Sequence, residues 1–499
     1  MESATRKKAA VIGAGFSSLS AATCLAQEGF DVTIFEKNST AGGRCRKFEH
    51  DGFVFDMGPS WYWMPDVFEK YFARFGKKPS DYYELTRLDP SYRVFYSNHE
   101  VLDIPANLEE LFQLFESLEE GSSIHLKKFL EEGAFKYEVG MNTLVYNPGL
   151  SITELFDTRL VKGLFKMQVF QSMASHVRSH FKDPRLIQIL EFPVLFLGAT
   201  AEDTPALYSL MNYADIKLGT WYPMGGMYKI IEGMVALAKE QGVRFEFDSP
   251  VEKFTMRDNE IAEIVIQGKP YAFDYVVSGA DYHHVEQQLL PASSRKYSEA
   301  YWQKRAMAPS SLIFYLGVNK PLKNLQHHNL FFDADFALHA REIYADPQWP
   351  TDPLFYVCCT SKTDNTVAPE NQENVFILIP VAPDLKDDNA LREKYFDLVI
   401  ERLEKLTRQS IKENIVFKRS YAHNDFIADY NAFKGNAYGL ANTIMQTANL
   451  KPSIINKKIK NLFYTGQLTV PGPGVPPSLI SGQVAADELI KRNKKLSNR

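Results

Sequence analysis

The chain has 499 residues, which is enough for two or three domains with sizeable cores. Its formal net charge is −5 and its basic clusters are short, so nucleic acid is not expected as a partner. The four cysteines show neither the spacing of a zinc site nor the density of a disulfide framework, which indicates a reducing compartment. The N-terminus lacks the apolar core of a signal peptide, and no apolar run is long enough to predict a spanning helix.

The first forty residues predict one βαβ unit. A short buried strand is expected at Lys8–Ile12, followed by a glycine turn and a helix of small residues over about 19–28. A second strand is expected at 31–36.

The rest of the chain predicts a mixture of helices and strands without internal repeats. Helices are expected at 65–75, 108–146, 152–196, 390–407 and 481–491, and strands at 53–55, 243–247, 261–266, 275–278, 311–317, 375–381 and 461–466. The stretch 159–185 mixes basic and apolar residues, which is typical of a helix at a membrane interface or of a solvated amphipathic helix. The basic tail at 491–495 is expected to fray.

The glycine turn is the first site signal. In a dinucleotide site Gly13 would make the tight turn, and Gly15 would let the backbone approach the pyrophosphate at the start of the following helix. The third fingerprint position is normally Gly or Ala but is Ser18 here, where a small residue still permits close packing. Glu36 ends the second strand, where its carboxylate can accept hydrogen bonds from ribose hydroxyls. A chance glycine turn is the alternative.

The next segment separates FAD from NAD. Gly42, Gly43 and Arg44 resemble the second half of the FAD signature of amine oxidases, with the arginine supplying positive charge near the diphosphate. An ordinary β-turn is the alternative. Gly58, within an Asp-Met-Gly-Pro sequence, extends the resemblance.

Two later segments fit the same cofactor. Val251 follows a strand at the point where such proteins pack a valine backbone against the adenine. Gly466 begins a Gly/Pro-rich loop, and Gly474, Val475 and Pro476 lie where that loop meets a helix, so backbone N–H groups there would face the flavin or its pyrophosphate. A Pro/Gly-rich surface loop is the alternative.

Taken together, these residues resemble the bacterial phytoene desaturases, which are carotene desaturases of the FAD-dependent amine-oxidase-like superfamily. The resemblance covers nearly the whole chain and includes the segments 219–227, 278–281, 327–328, 363–370 and 430–439. Two departures are the serine pair at 17–18 and the loop at 466–471, which lacks the Thr-His-Pro of many relatives.

The resemblance implies an α/β fold with a Rossmann-type, amine-oxidase-like FAD-binding domain. That discontinuous domain is expected to comprise 1–75, 225–305 and 455–499. An α+β substrate domain with a helical, membrane-facing region is expected from 76–224 and 306–454.

The implied cofactor is FAD, and the implied substrate is a hydrophobic carotenoid precursor, phytoene, desaturated to lycopene in successive dehydrogenations. A hydrocarbon is held by burial alone, at roughly 25 cal/mol per Å² of apolar surface. Trp61, Tyr62 and Trp63, together with the stretch 192–196, are therefore candidates for the substrate tunnel, with ordinary core as the alternative. The flavin N5 would accept the hydride, so no essential protein nucleophile is expected and the catalytic residues stay unknown.

Other functions remain open at this stage. The chain could be another flavoenzyme of the superfamily, either a hydroxycarotenoid desaturase or an amine oxidase, or a non-enzymatic escort of prenylated proteins. Since the expected substrate lives in the bilayer, a membrane surface is an expected partner. The protein is accordingly expected in the cytoplasm, peripheral on the inner face of a membrane.

Paired histidines invite a metal interpretation that the sequence does not favour. Neighbouring histidines at 283–284 and 327–328 are expected to point apart on strands. His176 and His180 share a helix face, but the glutamate of a zincin motif is missing. No metal site is expected.

Overall fold

The computed structural model describes residues 6–97, 100–151, 171–195 and 198–497. Its N-terminal elements form the expected βαβ unit, with β1 (Lys8–Ile12), α1 (Phe16–Gln27) and β2 (Asp31–Phe35). The helix begins at Phe16 rather than near residue 19, because the chain enters it directly after Gly15 at the N-cap. The two strands pair in parallel and are almost wholly buried.

Seventeen further strands complete the described β-structure, numbered here in chain order. They are β3 (Lys47–His50), β4 (Phe53–Asp56), β5 (Leu85–Arg87), β6 (Tyr92–Tyr96), β7 (Val101–Ile104), β8 (Trp221–Pro223), β9 (Arg244–Glu246), β10 (Val251–Arg257), β11 (Glu260–Ile266), β12 (Lys269–Ala272), β13 (Tyr275–Ser278), β14 (Ser310–Val318), β15 (His328–Phe332), β16 (Phe355–Cys358), β17 (Glu373–Val381), β18 (Ile415–Tyr421) and β19 (Leu462–Tyr464).

A five-stranded parallel sheet organises the cofactor half of the molecule. Its strand order is β19-β13-β1-β2-β9, so it joins strands from the beginning, the middle and the end of the chain. A parallel sheet of this kind, with helices packed on it, is the Rossmann-type arrangement. The predicted α/β, amine-oxidase-like fold class is therefore confirmed, whereas the domain boundaries and the membrane-facing region stay predictions.

A larger mixed sheet forms the second half. Its seven strands have the order β18-β14-β17-β16-β15-β6-β7, and only β15 and β6 pair in parallel. The strand β14, next to the edge strand β18, is buried along its full length, and residues 312–318 form a continuous apolar run after two serines. One of its faces packs against the helix Asn389–Thr407 through side chains such as Phe314 and Phe396.

The described helices of five or more residues follow α1 in chain order. They are α2 (Pro65–Ala73), α3 (Leu108–Leu118), α4 (Ser122–Val139), α5 (Met173–His180), α6 (Pro184–Leu195), α7 (Tyr228–Glu240), α8 (Glu299–Gln303), α9 (Phe336–Tyr344), α10 (Asn389–Thr407), α11 (His423–Tyr430) and α12 (Val475–Ser497), with π-helical segments at Gly140–Leu144, Tyr213–Leu218 and Val285–Leu289.

Three helix predictions were wrong in extent. The single helix expected over 108–146 is divided into α3 and α4, because the backbone at Gly121 takes a left-handed conformation that an α-helix cannot include. The C-terminal helix begins at Val475 instead of 481 and continues through the basic tail, which was expected to fray. Residues 152–170 and 196 of the predicted helical stretch 152–196 lie outside the described residues, and the remainder forms α5 and α6.

No described helix combines the length and the apolar character needed to cross a bilayer.

Candidate cofactor and substrate site

The glycine turn leaves backbone donors uncapped at the start of α1. Gly13 has a left-handed backbone, φ +87°, and its N–H donates to the carbonyl of Phe35 at 2.8 Å. Gly15 is the N-cap of α1, and no side chain caps the N–H groups of the first turn. The positive end of the helix is therefore available to an anion.

A second loop meets this turn through glycine backbones. The N–H of Gly42 donates to the carbonyl of Ala14 at 2.8 Å. A Cβ atom on Gly43 would lie 3.3 Å from the Cα atom of Gly15, and Gly43 itself has φ +54°. The close contact leaves little room for a side chain on Gly43, so the backbones of Gly42, Gly43 and Gly15 lie together in one narrow cradle.

Glu36 ties the glycine turn to the second strand. Its Oε2 atom accepts the N–H of Ala14 at 2.7 Å, and its Oε1 atom accepts the N–H of Asn38 at 2.9 Å. Its backbone carbonyl accepts the N–H of Ser249 at 2.8 Å, which brings Val251, the buried first residue of β10, into the same neighbourhood. The Oε1 atom also accepts the side-chain amide of Asn38 at 2.8 Å, so it is the Oε2 atom that keeps a lone pair for a ribose hydroxyl.

The serine pair at 17–18 packs against two glycines, Gly279 of the resemblance segment 278–281 and Gly482, which sequence reasoning did not single out. A Cβ atom on Gly279 would lie 2.1 Å from the Oγ atom of Ser18, so only glycine fits opposite the serine. A Cβ atom on Gly482, in α12, would lie 2.2 Å from the carbonyl oxygen of Ser17. The extra side-chain volume of the serines is thus compensated by glycines directly after β13 and in α12.

Arg44 offers an unmatched donor next to the cradle. Its guanidinium donates weakly to the carbonyl of Asn436 at 3.3 Å and lies over the ring of Tyr430. Its enclosed Nε atom has no hydrogen-bond partner among the described residues. Burial lowers the pKa of Arg44, and the nearby carboxylate of Asp281 opposes that shift. A half-buried guanidinium with an enclosed, unpartnered Nε donor fits a diphosphate, so the residues present fit a bound FAD.

Gly58 has a packing role beside Arg44. A Cβ atom at this position would lie 2.5 Å from the carbonyl oxygen of Arg44, so only glycine fits here. Two residues earlier, the Asp56 carboxylate accepts the N–H groups of Met227 at 2.7 Å and Tyr228 at 3.0 Å. Asp56 therefore caps the start of α7, although burial raises its pKa to about 6.

Asp364 stabilises the other side of the same turn. Its Oδ2 atom accepts the N–H of Gly225 at 2.6 Å, and its Oδ1 atom accepts both the N–H and the hydroxyl of Thr366. The segments that resemble the desaturases at 56–59, 219–227 and 363–364 therefore converge on one turn. A single sequence gives no signal for this convergence, because the contacts join residues far apart in the chain.

The C-terminal loop returns to the start of α1. A Cβ atom on Gly466 would lie 3.3 Å from the Oγ atom of Ser17, and its N–H donates to Ser481 at 2.9 Å. Gly474 has φ +108° and directly precedes Val475, the first residue of α12. Pro476 and the proline after it have no N–H group. The helix start therefore offers fewer donors to a cofactor than was predicted.

Trp61, Tyr62 and Trp63 lie in the protein core. The ring of Trp61 stacks on His328 with centroids 4.0 Å apart. The Tyr62 hydroxyl lies 3.1 Å from that of Tyr83, and the Trp63 indole donates to a threonine hydroxyl at 2.8 Å. Two of the three side chains are almost completely buried among other protein groups.

An apolar pocket that is partly open to solvent lies next to this aromatic cluster. None of the three predicted residues lines it, but Phe192, from the stretch 192–196, does. Its other walls come mainly from β15, α9 and β17, including Phe332, Phe336, Ile343 and Leu378. The apolar and aromatic lining of this pocket suits an apolar ligand.

The paired histidines do not point apart, so that part of the metal argument was wrong. The rings of His327 and His328 lie 4.5 Å apart, and together with Cys358 they bring three ligand atoms within 4.8 Å of one another. However, the Nδ1 atoms bond to the hydroxyls of Thr363 and Tyr356. Burial raises the pKa of the Cys358 thiol to about 12, which disfavours the thiolate that a metal needs.

The other histidine pair, His283 and His284, lies in a helical turn and not on a strand. His176 and His180 share a face of α5 as expected, and Glu132 lies within ligand distance of both. The Nζ atom of Lys136 lies 3.5 Å from the His176 Nε2 atom, and this positive charge opposes a bound cation. Neither cluster supports a metal proposal.

Comparison with known proteins identifies the family. Residues 16–490 match the family of flavin containing amine oxidoreductases. A carotenoid 3,4-desaturase of Haloarcula japonica is 40% identical over 482 residues, which are 96% of this chain and 97% of that protein. A zeta-carotene-forming phytoene desaturase of Myxococcus xanthus is 31% identical over 492 residues, covering 97% of this chain and 94% of that protein.

The fold has solved counterparts. An oxidoreductase from Methanosarcina mazei has a TM-score of 0.66 with this chain at 15% identity, covering 96% of this chain and 100% of its own. The low identity shows a shared fold only. With the family match, the expectation of FAD as cofactor is confirmed.

Proposed function

Because the chain belongs to the family of flavin-containing amine oxidoreductases, we propose that this FAD-dependent oxidoreductase desaturates CH–CH bonds of an acyclic carotenoid. The proposed substrate is phytoene, and the proposed product is lycopene, reached through successive dehydrogenations. Similarity over nearly the full chain to two proteins described as carotenoid and phytoene desaturases supports this choice. The apolar cavity beside the aromatic cluster is the structural observation that carries it.

The bound flavin supplies the hydride acceptor for such a dehydrogenation. The chain's own contribution at that end is to hold the cofactor. We assign the diphosphate to the uncapped start of α1, the glycine cradle and the free donor of Arg44. The carboxylate of Glu36 would accept the ribose hydroxyls.

The cavity favours a hydrocarbon over a hydroxylated substrate. His339, a polar residue of its wall, accepts the N–H of Leu354 at its Nδ1 atom and meets the carbonyl of Pro380 at its Nε2 atom, so both ring nitrogens are used. Burial lowers the pKa of His339 to about 4, which keeps the ring neutral. The Tyr356 hydroxyl is likewise bonded to Ser60 and His328.

Binding then depends on apolar burial, at about 0.8 kcal/mol for each buried CH₂ group. Because neither of these two polar wall residues has an unmatched donor, the protein would fix the hydrocarbon chain of the substrate by shape and not by hydrogen bonds. We propose that orientation along the cavity dominates catalysis and that no side chain is an essential nucleophile. Alanine scanning of acids and histidines around the cavity, with flavin content measured for each variant, tests this. One substitution that abolishes turnover while FAD stays bound would contradict it.

A second candidate is dehydrogenation at the 3,4 position of an already conjugated carotenoid. The 40% identity to the carotenoid 3,4-desaturase of Haloarcula japonica favours it. Both candidates use the same cofactor and an apolar substrate. They differ only in where the substrate molecule stops along the cavity.

Pigment analysis separates the two candidates. The chain is expressed in one host that accumulates phytoene and in another that accumulates lycopene, and the extracts are resolved by chromatography with absorption spectra. Conversion of phytoene to lycopene supports the first candidate, whereas unchanged phytoene with a red-shifted product from lycopene supports the second. No change in either host contradicts carotenoid desaturation. A Gly43→Val variant, whose side chain would fill the glycine cradle, is the matched control for flavin-dependent conversion.

Flavin content tests the remaining alternatives. An amine oxidase would be yellow and would oxidise amines without converting carotenoids. A non-enzymatic escort of prenylated proteins would purify without stoichiometric flavin. Either result would contradict the proposed function.

Membrane access is a further part of the proposal, because phytoene dissolves in lipid. Met445 and Leu450 expose large apolar side chains, at 73% and 52% of their surfaces. Asn449, between them, donates to the carbonyl of Ser151 at 2.6 Å, eight residues before the basic and apolar stretch 159–185. Flotation with anionic vesicles at low and high salt tests this attachment, and Met445→Ser with Leu450→Ser should weaken it. A protein that stays at the bottom of the gradient at both salt concentrations would contradict it.

A further inference from the structure

Lys451 is a buried lysine without an acidic partner. Only 4% of its surface is exposed, and its Nζ atom donates to the Oδ1 atom of Asn442 at 2.7 Å. Within the described ranges it forms no ion pair, whereas the buried Arg392 bonds to Asp387 and Lys362 bonds to Glu373. Burying an ammonium group with only one neutral acceptor is costly unless an anion arrives from outside the chain.

The amine lies against the C-terminal loop of the cofactor site. A Cβ atom on Gly472 would lie 3.2 Å from the Nζ atom of Lys451 and 3.2 Å from the Oδ1 atom of Asn442. Gly472 thus gives the lysine direct access to the backbone of the loop that joins Gly466 to the start of α12. Burial lowers the pKa of Lys451 to about 7, and no neighbouring carboxylate offsets that shift.

The position along this loop distinguishes two anionic parts of FAD. Gly466, at the beginning of the loop, contacts Ser17 in the first turn of α1, where the diphosphate is assigned, and Arg44 already supplies positive charge there. Gly472 lies six residues further along and three residues before Val475, the first residue of α12, where the sequence predicts a contact with the flavin or its pyrophosphate. A second cation therefore lies next to the part of the loop that leads into α12.

We propose that Lys451 provides the positive charge that stabilises the reduced flavin ring and so raises the reduction potential of the bound cofactor. Acceptance of a hydride transfers two electrons and one proton from a substrate C–H bond, and the isoalloxazine then carries one negative charge. The second substrate proton leaves separately from the adjacent carbon. A cation near the ring stabilises this product more than the neutral oxidised form. The inference rests on FAD binding and is independent of which carotenoid is the substrate.

The test measures the two-electron reduction potential of the purified holoenzyme without any carotenoid, by anaerobic equilibration with a reference dye. Lys451→Met should lower the equilibrium constant for flavin reduction by about tenfold, which is about 30 mV for a two-electron couple. Lys451→Arg, which keeps the charge, should restore most of the potential. Lys136→Met is the matched control, because Lys136 is also buried and its pKa is also lowered, to about 8, but it bonds to Ala206 and Ser209 in the helical region.

Sulfite affinity gives a second readout, since sulfite adds to oxidised flavin as an anion. Sulfite should therefore bind more weakly to the Lys451→Met variant than to the wild type. Should Lys451→Met lose FAD during purification, Lys451→Gln keeps the hydrogen bond to Asn442 without the charge. An unchanged potential in a flavin-bound neutral variant, or an equal shift in Lys136→Met, would overturn the proposal. Loss of FAD from both neutral variants, with retention in Lys451→Arg, would assign the charge to cofactor binding and would overturn it as well.

Discussion

Replacing Gly279 with alanine should destabilise the protein, because Ser18 occupies the space that the new methyl group needs. The added Cβ atom would lie 2.1 Å from the Ser18 Oγ atom and 3.1 Å from that of Ser17. Ordinary contacts begin near 3.4 Å, so the serine must rotate away from the carbonyl of Ile12, which it now meets at 3.3 Å. Overpacking of this kind costs about 1–3 kcal/mol, and the lost hydrogen bond adds about 1 kcal/mol.

The companion variant makes the reasoning refutable. Ser18→Ala removes the Oγ atom and costs about 1 kcal/mol at most, since its hydrogen bond is long. In the double variant Ser18→Ala with Gly279→Ala the main overlap is gone, so about 1–2 kcal/mol should be recovered as a coupling free energy. Urea unfolding is followed by far-ultraviolet circular dichroism and by flavin fluorescence. If Gly279→Ala unfolds at the same urea concentration as the wild type, or if the two changes are simply additive, the proposed packing is wrong.

Three other outcomes follow from the geometry. Gly43→Ala should weaken FAD binding at least about tenfold, measured by flavin titration of apoprotein, while Gly76→Ala, also at positive φ but with open space around it, should leave that affinity unchanged. Ile343→Trp should fill the apolar cavity and lower carotenoid turnover at least about tenfold at unchanged flavin content, and Ile124→Trp at an exposed site is its control. Burial lowers the pKa of His327 to about 3 and of His339 to about 4, so the stability these neutral rings provide is present above pH 6.5 and is lost as the pH falls towards 4. At pH 5 each of these two buried histidines should lower the free energy of unfolding by about 2 kcal/mol. His339→Gln should therefore reduce the difference between the unfolding midpoints at pH 7.5 and pH 5.

The sequence predicts the elements whose signals are local. The strand at Lys8–Ile12, the glycine turn and the helix Asn389–Thr407 follow from apolar runs, turn residues and helical periodicity within one window. The strand Ile415–Tyr421 was missed, because it lies at the edge of its sheet and its exposed face carries polar residues that weaken the pattern. The break at Gly121 was missed although the glycine itself is the signal, because the apolar periodicity continues on both sides of it.

The site likewise contains features with a local sequence signal and features without one. The glycine cradle at Gly15 and Gly43 was predictable, since each glycine belongs to a short pattern with a known physical purpose. The cavity was not, because its walls come from β15, α9 and β17, which meet only after the mixed sheet has formed. Trp61 was a reasonable candidate by position, but its ring packs on His328 and Phe192 instead of facing the cavity.

The residues that resemble a cofactor signature therefore serve two different purposes. Gly43 lets the second loop approach Gly15 at the start of α1, and Arg44 keeps an unpartnered Nε donor, and we propose that both serve the cofactor. Gly58 and Asp56 instead have structural roles. Gly58 allows close packing against the Arg44 carbonyl, and Asp56 caps α7. A substitution at Gly58 would consequently displace Arg44 first and impair FAD binding only through it. Loss of FAD after mutation of such a residue is thus weak evidence of direct contact, whereas a change in flavin potential at constant occupancy, as proposed for Lys451, reports on the flavin ring itself.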